Sequence, residues 1–144
     1  MKRPQNIFSA VLLVILFTVV LPLKADIVVI TNKSTKLPGI TLNELGRFYL
    51  GQRKLFTNGQ RVVVADQVTG SAIRQQFYKK VLNMSESELS RYWAKRRFTR
   101  KFKPPKIISG DAAMKQWIAM TPDSLGYIDS KSLDSSVKLL LIIP

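Results

Sequence analysis

Short runs of β-branched and apolar residues alternate along this chain with segments of helical periodicity. The runs that predict strands span residues 26–30, 61–65, 106–108, 125–128 and 137–143. A sheet that is largely parallel needs helical crossovers between its strands, and these helices cover its faces. The alternation therefore predicts an α/β fold, a mixed or parallel sheet flanked by helices.

The helices between these runs carry recognisable start and stop signals. Two begin with capping boxes, Thr41 with Glu44 and Ser85 with Glu88. Gly51 is expected just past the end of the first helix, where a left-handed residue is common. Apolar residues recur at helical spacing over 73–82, and a fourth helix is expected to be capped by Asp111 and to end at Thr121-Pro122.

Composition excludes several kinds of chemistry. The 144 residues include no cysteine and no histidine. Disulfides, thiol catalysis, imidazole bases and the usual zinc sites are therefore ruled out. No serine-nucleophile elbow or cluster of metal-ligating acids is visible either, so we expect no enzyme, no metal and no cofactor.

The amino terminus is typical of a secretory signal peptide. Lys2 and Arg3 precede an apolar run, and Pro22 to Ala25 leads to a cleavage site expected after Ala25. Residues 1–25 are therefore assigned as a signal peptide and residues 26–144 as one domain, with an uncleaved anchor as the alternative. The expected location is the periplasm of a Gram-negative bacterium. Residues 26–144 keep 20 basic and nine acidic side chains, a net charge of +11 that attracts anions.

A first candidate site is the turn that follows the second predicted strand. It contains Asp66, Thr69, Gly70 and Ser71, and Arg74 follows one helical turn later. Helix N-termini present unpaired N–H groups to anions, hydroxyls add donors, and glycine lets a ligand approach the backbone. The alternative is that these residues are ordinary helix caps.

A second candidate is a basic segment in which no acid occurs between Glu88 and Asp111. Its cations are Arg91, Lys95, Arg96, Arg97, Arg100, Lys101, Lys103 and Lys106. Interleaved aromatic residues are typical of surfaces that bind single-stranded nucleic acid, but export removes the protein from most nucleic acid. An anionic protein, lipid or envelope polymer fits better. The alternative is a solvated charged face, with Tyr92 and Trp93 in the core.

The order of motifs over most of residues 26–144 resembles the phosphate-binding component of phosphate ABC transporters, in the periplasmic binding protein superfamily (type 2). The resemblance rests on Asp26-Ile-Val-Val-Ile-Thr-Asn32, Leu42-Asn-Glu-Leu45, Tyr49-Leu-Gly51, Asn58-Gly59, Phe77-Tyr-Lys-Lys-Val-Leu82, Tyr92-Trp93, Phe98-Thr99, Pro104-Pro105 and Thr121-Pro-Asp-Ser-Leu-Gly-Tyr-Ile128. It implies a single periplasmic-binding-protein-like lobe, because the family's binding proteins have two lobes and this chain has room for one.

The resemblance also implies an oxyanion site. Thr69-Gly70-Ser71 is similar to the family's Ser-Gly-Thr turn, and Asp66 is similar to the acid before that turn. The family's arginine at that point is absent here, and Arg74 is the candidate to replace it.

Two hypotheses of function follow. The first is a periplasmic, non-enzymatic solute-binding protein that takes phosphate or a related oxyanion, in connection with phosphate transport or sensing. The second is a single-lobe adaptor that has lost the ligand and docks on an exported sensor or transporter component through its basic surface. Membrane contact is expected only through that surface or an uncleaved signal.

Overall fold

The computed structural model describes residues 25–99 and 102–144. The strands in this part of the chain are β1 (Ile27–Thr31), β2 (Val63–Asp66), β3 (Lys106–Ile107), β4 (Ser124–Asp129) and β5 (Lys138–Ile143). The α-helices are α1 (Leu42–Tyr49), α2 (Ala72–Leu82), α3 (Glu86–Arg96) and α4 (Asp111–Met120), and a 3-10 turn (Arg97–Thr99) continues α3. No helix within these described residues has the length and apolarity needed to cross a membrane. The predicted signal peptide, apart from Ala25, lies outside the described residues.

The five strands form one mixed sheet in the order β3-β2-β4-β1-β5. β2 pairs in parallel with both β3 and β4, whereas β1 runs antiparallel to its neighbours β4 and β5. The predicted α/β class with a mixed sheet and flanking helices is thereby confirmed. β2 and β4 lie side by side and end at the same edge, so the residues that follow β2 lie close to the end of β4.

Helices cover both faces of the sheet, and the alternation of side chains along β1 shows how. Ile27 and Val29 point into the larger apolar core, which α1, α2 and α3 complete. Val28 and Ile30 point to the other face, where Met114 of α4 packs. A strand buried on both faces reads as a continuous apolar run, which is why β1 was visible in the sequence.

The local signals mostly act as predicted. Both capping boxes form, at Thr41 and at Ser85, and Gly51 adopts a φ of +67° just after α1. The prediction for α4 needs one correction. Its N-cap is Gly110, not Asp111, and the Asp111 carboxylate instead accepts hydrogen bonds from the Asp129 backbone and the Gln67 side chain. Asp111 therefore joins α4 to the ends of two strands.

Gly126 of β4 lets α4 pack directly against the sheet. A Cβ atom placed there would lie 2.7 Å from the Met114 sulfur and 3.1 Å from Cδ1 of Ile118. We expect Gly126→Ala to lower the free energy of unfolding by about 1–3 kcal/mol, because the buried side chains of Met114 and Ile118 must shift to relieve the overlap. Urea unfolding measures the change. Gly39→Ala is the control, since its nearest neighbour would be 4.0 Å away. Equal losses in both variants would contradict the close packing.

Candidate functional site

The turn between β2 and α2 contains the first group of predicted site residues. β2 ends at Asp66, and Ser71 is the extended N-cap residue of α2. The Ser71 side chain caps none of the first-turn amides, and its buried Oγ has no hydrogen-bond partner among the described residues. Gly70 has a φ of +84° and open space where a side chain would lie. The start of α2 therefore has an open approach and no cap from its own side chain.

Asp66 is 1% exposed, and its carboxylate accepts four hydrogen bonds. On Oδ1 it accepts from the Gln67 backbone at 2.8 Å and from the Tyr127 hydroxyl at 2.5 Å. On Oδ2 it accepts from the Tyr78 hydroxyl at 2.7 Å and from Arg74 Nε at 3.0 Å. Four donors satisfy a carboxylate that burial would otherwise destabilise strongly. Asp66 is thus committed to bonds within the fold.

The tyrosines around Asp66 are held in their protonated state. Burial first, and then the nearby negative charge of Asp66, raise the pKa values of Tyr49, Tyr78 and Tyr127 well above the ordinary value. The Tyr127 ring also stacks on Phe77, with ring centroids 3.8 Å apart. Tyr78 and Tyr127 are therefore protonated at neutral pH and donate their hydroxyl hydrogens to Asp66.

Arg74 connects this buried cluster to the surface. It is 7% exposed, it pairs with Asp66 through Nε, and it forms a short ion pair through Nη1 with the Glu86 carboxylate of α3. Burial lowers the pKa of Arg74, but the charges and hydrogen bonds of its two acidic partners outweigh burial and raise it. The guanidinium is therefore a permanent cation whose Nη1 already faces a carboxylate.

A cavity of about 300 Å³ opens beside Arg74; we call it the turn pocket. One face of α3 and of the 3-10 turn that continues it lines the pocket with Glu86, Ser90, Trp93 and Arg97. Thr69 contributes from the β2–α2 turn. The Gly70 N–H also points to Glu86, with 3.4 Å between the nitrogen and Oε1. No described residue forms an ion pair with Arg97.

The fold thus places the residues of the first predicted site in different environments. Thr69 and Arg74 line the turn pocket, whereas Asp66 lies behind Arg74 in the core. Arg97, predicted as part of a separate basic surface, lies in the same pocket. The sequence did not identify Glu86 as a site residue, because it was interpreted as a surface residue at a helix start. It also did not identify Tyr78 and Tyr127 as donors to Asp66. No local signal marks Glu86, because its position depends on how α3 crosses α2.

The described cations of the basic segment lie in several different environments. Arg96 lies between two rings, with its guanidinium carbon 4.5 Å from the Tyr92 centroid and 4.7 Å from that of Phe102. Arg91 and Lys95 are exposed on α3. Lys103 and Lys106 line a different groove of about 500 Å³ together with Arg53 and Arg61. Trp93 is buried and Tyr92 half-buried, as the core alternative predicted. Arg100 and Lys101 lie outside the described residues.

Comparison with solved structures places the fold among phosphate-binding proteins of ABC transporters. The chain superposes on a phosphate ABC transporter substrate-binding protein from Clostridium perfringens, crystallised with bound phosphate, at a TM-score of 0.64 and 20% identity. An ABC-type phosphate transport receptor from Vibrio cholerae gives 0.64 and 18%, and PstS from Borrelia burgdorferi gives 0.62 and 16%. Each match covers 81% of this chain but only 45%, 46% and 47% of those proteins, in the same order.

This chain therefore spans about half the length of the proteins it resembles, with the fold of one part of them. No protein-family model matches the chain, and no curated protein matches it by comparison either.

Removal of the Tyr127 hydroxyl should weaken the Asp66 cluster. Tyr127→Phe deletes a donor to a buried carboxylate, so we expect the free energy of unfolding to fall by about 1.5–3 kcal/mol. Tyr92→Phe removes a half-buried hydroxyl that donates to the Leu50 carbonyl, and the expected loss is about 1 kcal/mol. Chemical denaturation of both variants measures the difference. A smaller loss in Tyr127→Phe than in Tyr92→Phe would contradict this role.

Stability should also fall at alkaline pH. The unfolded chain releases its tyrosine protons near pH 10, whereas the folded chain retains those of Tyr49, Tyr78 and Tyr127. Above that pH the folded state binds more protons, so stability decreases by about 1.4 kcal/mol per pH unit for each such tyrosine. Denaturant melts between pH 9 and 11.5 measure the slope, and Tyr127→Phe should make it shallower. Absorbance at 295 nm that shows all four tyrosines ionising in the folded protein would refute this.

Proposed function

We propose that this protein is a non-enzymatic, solute-binding-type protein that binds phosphate or a related oxyanion in the turn pocket. It would act in connection with phosphate transport or sensing. With the predicted signal peptide at residues 1–25, it would do so in the periplasm. The fold it shares with phosphate-binding proteins is consistent with this role.

One observation carries the proposal: the uncapped start of α2 adjoins a pocket whose cations are Arg74 and Arg97. An oxyanion needs several convergent donors in place of its water shell, and guanidinium groups and N-terminal amides provide the strongest ones. Thr69 supplies a hydroxyl donor at the same pocket. Ser71 is not among the residues that line the pocket, but its buried Oγ, which has no hydrogen-bond partner among the described residues, lies at the same helix start.

Binding by this protein alone is expected to be weak. The chain corresponds to less than half of each two-lobed relative implied by the resemblance, so donors from a facing lobe are missing. Each missing charge-assisted hydrogen bond costs about 1.5–3 kcal/mol, and each 1.4 kcal/mol is tenfold in affinity. We therefore expect a dissociation constant for phosphate in the millimolar range.

Amide chemical shifts test this proposal, because they detect millimolar binding residue by residue. Titration with phosphate should shift the Gly70 and Ser71 amides saturably, and sulfate at the same ionic strength should shift them less. Thr69→Ala/Ser71→Ala should weaken phosphate binding by about tenfold or more, since two hydroxyl donors are lost.

A matched control is Thr57→Ala/Ser87→Ala, which removes the same two side-chain types at exposed positions elsewhere. It should bind phosphate like the wild type. Equal shifts with phosphate and sulfate, or full binding by Thr69→Ala/Ser71→Ala, would show attraction to net charge only and would refute the site.

A further inference from the structure

The turn pocket already holds an anion that belongs to the chain. The Glu86 carboxylate lies with Oε2 on Arg74 Nη1 and with Oε1 3.4 Å from the Gly70 nitrogen. These are a guanidinium and a backbone N–H of the turn that leads into α2, and both are donors that an incoming oxyanion could use. We propose that Glu86 is a built-in competitor of the oxyanion, which must displace its carboxylate in order to bind. This inference rests on the function proposed above.

The two acids at Arg74 differ in how firmly they are held. Asp66 accepts four hydrogen bonds and is 1% exposed, so it cannot leave without breaking the core. Glu86 has two donors, one of them at the long distance of 3.4 Å, and its side chain is 26% exposed. Its carboxylate can therefore move into water when another anion takes its donors. Glu86 is the exchangeable partner of Arg74, and Asp66 is the fixed one.

The charges around the turn pocket also indicate that the Glu86 carboxylate competes with an incoming anion. The ionisable residues that line the turn pocket are Arg74, Arg97 and Glu86, and the buried Asp66 behind Arg74 brings the sum of the four charges to zero. Movement of the Glu86 carboxylate into solvent leaves an excess positive charge facing the cavity. The competitor thus sets both the affinity of the pocket and the charge it presents to a ligand.

Glu86→Gln tests the proposal, because it keeps the side-chain shape and removes the charge. We expect it to bind phosphate about tenfold more tightly than wild type, the effect of removing one like charge at contact distance. Glu88→Gln is the control on the same helix. It changes the net charge equally, and glutamine keeps the capping box with Ser85. It should bind phosphate like the wild type.

A second readout needs no phosphate. If Glu86 occupies the turn in the free protein, Glu86→Gln shifts the Gly70 amide resonance and Glu88→Gln does not. Glu86→Asp provides a further variant, because its shorter side chain withdraws the carboxylate from the same donors. It should bind phosphate more tightly than wild type and can replace the glutamine variant if that variant does not fold.

The possible results separate this inference from the proposed function. Tighter phosphate binding by Glu86→Gln supports the competitor, even if the wild type shows no binding and the proposed function fails. Phosphate binding by the wild type with no gain in Glu86→Gln overturns the competitor and leaves the function standing. An absence of phosphate binding in the wild type and in every variant overturns both.

Discussion

The buried carboxylate of Asp66 is the interaction on which the rest of the structure depends. It lies at the end of β2 and accepts hydrogen bonds from Tyr127 of β4 and from Arg74 and Tyr78 of α2. A carboxylate at this depth is tolerated only with its donors in place. The end of β2, the end of β4 and the first two turns of α2 are therefore held in one arrangement. Gln67 extends it by donating to the Tyr127 carbonyl.

This cluster limits what Arg74 can do at the surface. Nε is committed to Asp66, and the guanidinium carbon lies 5.1 Å from the centroid of the Tyr78 ring, so the side chain cannot swing toward a ligand. It presents Nη1 at a fixed point beside the α2 start, where Glu86 meets it. A fixed donor needs no ordering when an anion binds, which favours binding. Because the Arg74 side chain is fixed, a ligand must bind at the position of Nη1, and it must displace the Glu86 carboxylate from that position.

Elements with local signals could be predicted from the sequence, and contacts between elements could not. The apolar run of β1, the capping boxes at Thr41 and Ser85 and the mixed α/β class all follow from residues close together in the chain. The turn before α2 was predicted as well, but the inward position of Asp66 was not. That position depends on hydroxyls from Tyr78 and Tyr127, which are 12 and 61 residues away. Glu86 was missed because the left-handed Asn83 sets the direction in which α3 leaves α2.

Net charge and pocket charge have opposite consequences in this molecule. A charge of +11 over residues 26–144 attracts every anion, so the overall field cannot select one. At the turn pocket the Glu86 carboxylate cancels the excess positive charge. An anion therefore binds there only if its hydrogen bonds to Arg74 and Gly70 are stronger than those that the carboxylate forms. Because of this competition, the pocket selects an anion by the geometry of its hydrogen bonds and not by its charge alone. An internal carboxylate is therefore a source of specificity on a surface that would otherwise bind anions indiscriminately.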